Sequence, residues 1–166
     1  MRFPPPGNAS RMSDNPREDS RIDGYVAAMG LFAAGIAGSA AVHLVRGTSL
    51  PLRYAAGDLV LGALATHKFT RLLAKDAVTA PIRAPFTDYE EPAGSGEVNE
   101  SPKEGHISHT VGELLTCPFC LAPWVSSAYV MALGLVPRPA RAWAAIFSVV
   151  AASDYLQHAY ARVRTD

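Results

Sequence analysis

No surplus of charge of either sign, no cysteine framework and no even scatter of ionic side chains is found in this chain. Its 15 Lys and Arg balance 15 Asp and Glu over 166 residues, which argues against a general nucleic-acid binder, because that function needs excess cations to displace counterions from phosphate. Two cysteines cannot staple a disulfide scaffold. A Gly-rich phosphate loop, a nucleophile elbow, an H-E-x-x-H run and a paired-acid constellation are all missing, so the residues lean away from an enzyme. There is no internal repeat. Charged residues are only 18% of the total, and they avoid long stretches.

What is present is segregated: four apolar blocks carry few charges, while the N-terminal region and the centre are dense in Pro, Gly, Ser and acid. Residues 1–23, with Pro4, Pro5, Pro6 and Pro16 among interleaved charges, cannot bury a core and are predicted to be a disordered tail. Residues 24–45 contain no Asp, Glu, Lys or Arg, and at about 1.5 Å per residue such a run crosses the roughly 30 Å hydrocarbon core of a bilayer. Within it Gly30, Ala34 and Gly38 place small side chains on one stripe, where a helix of another copy can approach; a plain abundance of small residues gives the same pattern. The run at 39–41 also resembles a signal-peptide cleavage site, but the apolar stretch continues past it. Residues 54–73 make a second span if Asp58 sits at one interface and Lys68 and Arg71 snorkel to the other. Residues 118–136 and 140–160 make a third and fourth, joined tightly by Pro137, Arg138 and Pro139.

Orientation follows from the basic residues. With the N-terminus inside, four spans leave Arg46, Arg53, Arg138 and Arg141 outside and the other eleven Lys and Arg inside, including Arg162 and Arg164 of the short tail 161–166. Both termini are therefore expected in the cytoplasm. The loop 74–117 then lies on the same side. Its first part, with Pro81 and Pro85, reads as extended along the membrane, and its acidic Gly/Ser/Pro-rich middle as mobile. Thr110 and Glu113 have the spacing of a capping box, and Ile107, Val111, Leu114 and Leu115 share one face of an interfacial helix.

Few groups are placed to do chemistry. Cys117, Pro118, Phe119 and Cys120 form a C-x-x-C at the inner start of the third span, where a helix N-terminus favours thiolate. Structural cysteines, a redox or thiol-modified pair, and metal ligation all fit. The last would recruit His106 and His109 around zinc; otherwise no cofactor is predicted. Asp154 and His158 lie four apart on the fourth span and hence on one face. An ionisable group inside a span calls for a partner, and Asp154 is level with His67, Lys68 and Arg71 of the second. An interhelical clamp and a proton or ion pathway are the two roles for such a cluster. Asp58 is expected to cap its helix or pair with Arg53, Trp124 and Trp143 to anchor at interfaces, and His43 to be a solvated end residue.

Two stretches, RLLAKDAVTAPIRAPFTDYE with the following GEVNESP, and VGELLTCPFCLAPWV, resemble the bacterial membrane proteins grouped as domain of unknown function 1360. The likeness covers roughly residues 57–160 and includes Lys75, Asp76, Thr79, Pro81, Arg83, Pro85, Phe86, Glu113, Cys117, Pro118 and Cys120. Ala122 and Pro123 depart from it, and Pro123 is positioned to kink or delay the third helix. The resemblance implies an integral bacterial membrane protein and supplies no activity or catalytic residue. The expected fold is thus an all-α bundle of four transmembrane helices in the bacterial inner membrane, with a partly disordered cytoplasmic loop. Its expected partners are the lipid bilayer together with a second copy or another protein, and not nucleic acid. Three functions remain in contention: a non-enzymatic module binding protein or lipid at its cytoplasmic face, a thiol or metal-responsive protein centred on Cys117 and Cys120, and a small transporter or channel.

Overall fold

The computed structural model describes residues 16–51 and 53–164, and leaves the side chains of residues 16–20 and of His106 undescribed; the expectation for residues 1–15 lies outside the described residues. Helices α1 (Pro16–Val45) and α2 (Ala56–Lys75) are followed by a 3-10 turn (Ala77–Thr79), the single-turn helix α3 (Ala80–Arg83), strands β1 (Thr87–Gly94) and β2 (Glu97–Pro102), and helices α4 (His106–Thr116), α5 (Pro118–Leu135) and α6 (Pro137–Arg164). The described chain is mostly helical with one small antiparallel sheet.

Three local expectations are corrected. Residues 16–23, assigned above to the disordered tail, already belong to α1, which Pro16 opens with its preset φ. The segment with Pro81 and Pro85 is not extended: residues 77–83 are wound into the 3-10 turn and α3, and Pro85 lies in the turn that follows; the acidic stretch after it forms the β1–β2 hairpin around Gly94, Ser95 and Gly96, all at positive φ. Helix α4 begins at His106, so Thr110 and Glu113 lie inside it and form no cap.

The ends of α1 and α5 follow simple backbone rules. Gly47, at φ 63°, ends α1 with Thr48 N–H donating to His43 O at 2.9 Å and Gly47 N–H to Leu44 O at 3.1 Å, a Schellman closure that needs a residue tolerant of the left-handed region. Cys117 is the N-cap of α5 and Pro118 its first residue, where a missing N–H costs nothing.

Packing centres on α2, which lies against α5 and α6, while α1 packs on α4 and α5. Ala65, Tyr129, Leu133, Ala140 and Ala144 form the buried core. Small residues let α2 and α6 approach, and Ser148 Oγ donates to Leu61 O at 2.8 Å across the gap. Contacts fix the directions: Asp58 meets Arg141 near the starts of α2 and α6 and Lys68 meets Asp154 further on, so these two helices run parallel. Phe32 meets Trp124 and His43 meets Met131, so α1 and α5 run parallel the other way. Trp143 stands among Phe69, Tyr129 and Phe147, an aromatic packing cluster, and His43 is buried against Thr48 and Met131 O instead of solvated.

Among the described residues two stretches, Arg21–Val45 and Pro118–Leu135, are long and apolar enough to cross a membrane, with only 6% and 17% of their most apolar windows buried inside the protein. A core helix of a water-soluble domain hides its apolar face. Here Val26, Met29 and Leu31 on α1, Val60 and Leu64 on α2 and Ile146 and Val149 on α6 are all exposed.

Candidate functional site

The parallel run of α2 and α6 brings their C-terminal halves together with the hairpin tip, and a cleft of about 790 Å³ opens between the three. Its floor is made of His67, Lys68, Arg71, Asp154, Tyr155 and His158, and its roof includes Gly94, Ser95 and Glu97. Lys68 Nζ stands 2.6 Å from Asp154 Oδ2. Arg71 turns away to Glu97, donating from Nε at 3.0 Å and from Nη2 at 2.7 Å to one carboxylate oxygen. His67 stacks on Tyr155 with ring centroids 6.3 Å apart, and His158 lines the cleft without a direct pairing to Asp154. Each cation of the floor therefore has its own carboxylate, a pattern suited to clamping helices and fixing the hairpin. Asp154→Asn would leave the Lys68 ammonium without its partner in the C-terminal half of α2. Because the carboxylate is more than a third exposed, the expected loss is modest, about 1 kcal/mol, or a melting shift of about 2–4 °C. Stability loss with unchanged leak into liposomes supports the clamp; lost flux at normal folded yield would assign the pair to an ion pathway.

The hairpin rests on an ionic knot. Arg83 is fully buried: Nε donates to Glu100 Oε2 at 2.6 Å, Nη1 to Leu73 O and Thr79 Oγ1 at 2.7 Å each, and Nη2 to Asp76 O and Glu100 Oε1 at 3.1 Å each. All five guanidinium N–H groups are thereby used. Glu100 also accepts from Thr87 Oγ1 at 3.1 Å, so one side chain ties the end of α2, the 3-10 turn and both strands. Sequence reasoning placed Arg83 among the family-motif positions but missed Glu100. The available signal was an arginine between two prolines in otherwise apolar chain, facing an acid across a G-S-G turn.

Other motif positions serve this assembly. The Asp76 side chain accepts from Val78 N–H at 3.1 Å and starts the 3-10 turn; the Thr79 hydroxyl donates to Asp76 O at 3.0 Å; Phe86 O receives Lys103 N–H at 2.9 Å. Lys75 closes the last turn of α2, and Pro81 and Pro85 stand in and just after α3. Glu113, on α4, accepts from the Tyr25 hydroxyl of α1 and lies 3.5 Å from Arg21 Nη2. Beside it, His109 Nε2 meets Arg21 Nη2 at 3.1 Å, and its Nδ1 faces Glu113 at 3.6 Å. Both nitrogens of His109 are thus directed at α1 and Glu113, and the side chain of His106 is outside the described residues. Among the described residues no group of three His, Cys, Asp or Glu is arranged to hold a metal ion. At the opposite end of the helices Asp58 neither caps α2 nor pairs with Arg53; Arg141 takes it bidentately at 2.9 and 2.8 Å.

Cys117 and Cys120 face each other at disulfide distance, with Cα atoms 5.2 Å apart. The turn between them is held by the backbone: Cys120 and Leu121 N–H both donate to Cys117 O at 3.1 Å, and Cys120 N–H also reaches Cys117 Sγ at 3.2 Å. A bridge closing so short a loop removes little chain entropy, roughly 2 kcal/mol. Cys120 and the intervening Phe119 are exposed. Pro118 and Phe119 also begin a second cleft of about 800 Å³, mainly apolar, between α5 and α2.

The model of the family described as "Protein of unknown function (DUF1360)" matches residues 61–160. Sporulation protein YjcA of Bacillus subtilis (strain 168) is 28% identical over 96 residues, 56% of this chain and 80% of that protein. No solved structure matches.

Proposed function

The chain belongs to the DUF1360 family of proteins of unknown function, and on that premise we propose that it is a four-span protein of the bacterial cytoplasmic membrane whose cytoplasmic face is a docking platform for another protein. α1, α2, α5 and α6 are the spans and both termini are cytoplasmic. The observation that carries the reading is the union of unburied apolar helices with a hairpin pinned to their inner end by the fully buried Arg83. Apolar faces left unburied need an apolar solvent, and a hairpin so firmly held is a presented surface. Its outward strand carries exposed Asp88, Glu90 and Glu91. Acid of that density is repelled by anionic headgroups, which favours a basic protein partner over lipid. The role in the name of the Bacillus relative, sporulation, is proposed as the cellular setting.

A photocrosslinker at Tyr89 in growing cells is expected to give a protein adduct that is lost when Glu90 and Glu91 are changed to Lys. Adducts to lipid alone would overturn the protein-partner reading. Topology is tested by maleimide labelling of Cys117 and Cys120 in intact cells, where only a membrane-permeant reagent is expected to react; labelling by an impermeant one would sink the proposed orientation.

A second reading has its own observation, the facing cysteines at an exposed helix start. On it the pair is a thiol switch or electron carrier. If the permeant reagent reacts only after reduction, the pair is oxidised in the cell and this reading takes precedence.

A further inference from the structure

Resting on the membrane and thiol readings above, we propose that Cys117 and Cys120 pass electrons to a bilayer-soluble quinone bound in the cleft between α2 and α5. The two residues that separate the cysteines, Pro118 and Phe119, are themselves wall of that cleft, which sets the pair beside its cytoplasmic end. From there the cleft runs outward past Ala122 and Pro123, faced by Gly62 and Ala63 of α2. Its volume, about 800 Å³, suits a ring with the first part of an isoprenoid tail.

The chemistry of the lining selects the class of ligand. Most of the wall is apolar, as a molecule entering sideways from lipid requires, while polar side chains of Thr66, His67, Thr70 and Arg71 gather at the cysteine end. Phe119, 88% exposed, offers a flat face to a flat ring. A dithiol needs a two-electron acceptor, and a quinone supplies that in a form that lives in the membrane. An acyl chain would fit the walls but gives the cysteines nothing to react with. Backbone hydrogen bonds from Cys120 and Leu121 N–H to Cys117 O brace the turn without involving the sulfurs, so cycling of the pair needs no refolding. A pair at the cytoplasmic face is one that the cell keeps supplied with reducing equivalents.

In the proposed step both thiols lose their protons. One thiolate adds to a ring carbon of the quinone, forming a C–S bond; the other attacks that sulfur, forming the S–S bond and breaking the C–S bond. The electron pair leaves on the ring, and the two thiol protons end on its two oxygens as hydroquinone. The dithiol is oxidised by two electrons and one quinone is reduced; cytoplasmic thiols restore the dithiol by exchange.

The test uses the full chain in detergent micelles, reduced, freed of reductant under anaerobic conditions and mixed with a short-chain ubiquinone. Two thiols are expected to disappear for each quinone reduced, and none in Cys117→Ser or Cys120→Ser. Ala63→Phe, at an exposed cleft position, should slow the quinone reaction at least tenfold while leaving oxidation by the small azo oxidant diamide unchanged. Oxidation by diamide but not by quinone would overturn the quinone site and leave the thiol reading standing. Failure with both oxidants, in protein with a normal melting transition, would overturn both. Quinone reduction at full rate in Ala63→Phe would remove the site from this cleft.

Discussion

Arg83→Ala is expected to cost about 3–5 kcal/mol, the loss found when one partner of a buried ion pair is removed and the other charge stays behind. Glu100, its side chain only 5% exposed, would keep a carboxylate with the Thr87 hydroxyl as its remaining donor within the knot. Leu73 O would lose its guanidinium donor at the end of α2, while Asp76 O would keep the Thr79 hydroxyl and N–H. The damage should be local before it is global. Hydrogen exchange is expected to rise first at amides that hold the hairpin down, such as Ala77 N–H, which donates to Gly96 O at 2.9 Å, while α5 and α6 keep their protection. Arg83→Lys retains the charge but not the fork and should fall between wild type and Ala. Removing both partners, Arg83→Met with Glu100→Met, should recover part of the loss because no buried charge is orphaned; Leu73 O still loses its Arg83 donor, so recovery stays incomplete. Uniform loss of protection across all helices in Arg83→Ala would show that the hairpin is not a separate unit held by this knot.

The long helices were legible in the sequence and the hairpin assembly was not, for reasons that particular residues make clear. A long charge-free run such as 24–45 announces a helix by composition alone, and the breaks at Gly47 and Pro137 mark where the chain must turn. Bounds drift where the polar ends of a helix continue beyond its apolar centre, as at Pro16–Val45 and Pro137–Arg164. The hairpin was hidden because its strands are built from Asp, Glu, Pro and Asn, residues poor in β-propensity. Their pairing depends on a long-range knot, Arg83 with Glu100, that no local pattern encodes. The same blindness affects the polar cleft. Helical periodicity puts Asp154 and His158 on one face, yet it cannot divide Lys68 and Arg71 between two acids when one of those acids, Glu97, sits on a hairpin that hydropathy does not reveal. Asp58 illustrates the reverse case: Arg53 is close in sequence, but the parallel course of α2 and α6 brings Arg141 to it.

Gly62→Leu is expected to unfasten α2 from α5, although leucine is the better helix former by roughly 0.8 kcal/mol. A Cβ at position 62 would overlap the Tyr129 ring, falling 2.8 Å from its Cδ1. That ring is fixed on two sides: Trp143 lies against it at 5.7 Å between centroids, and its hydroxyl donates to Asp58 O at 2.8 Å. It cannot swing aside without giving up both, so the added side chain must push the helices apart at this contact. Overpacking of this kind costs about 1–3 kcal/mol, and the propensity gain offsets only part of it. Tyr129→Phe should lose only the hydroxyl bond, about 1 kcal/mol, and Tyr129→Ala about 3–5 kcal/mol as a cavity opens. If the clash is what matters, the introduced leucine side chain should refill that cavity, and Gly62→Leu combined with Tyr129→Ala should cost less than the sum of the single changes by about 1–2 kcal/mol. Reversible unfolding in mixed micelles measures all four corners of the cycle. Strict additivity would mean that Gly62 and Tyr129 do not touch in the folded protein, and with that contact the α2–α5 packing that shapes the apolar cleft would fall.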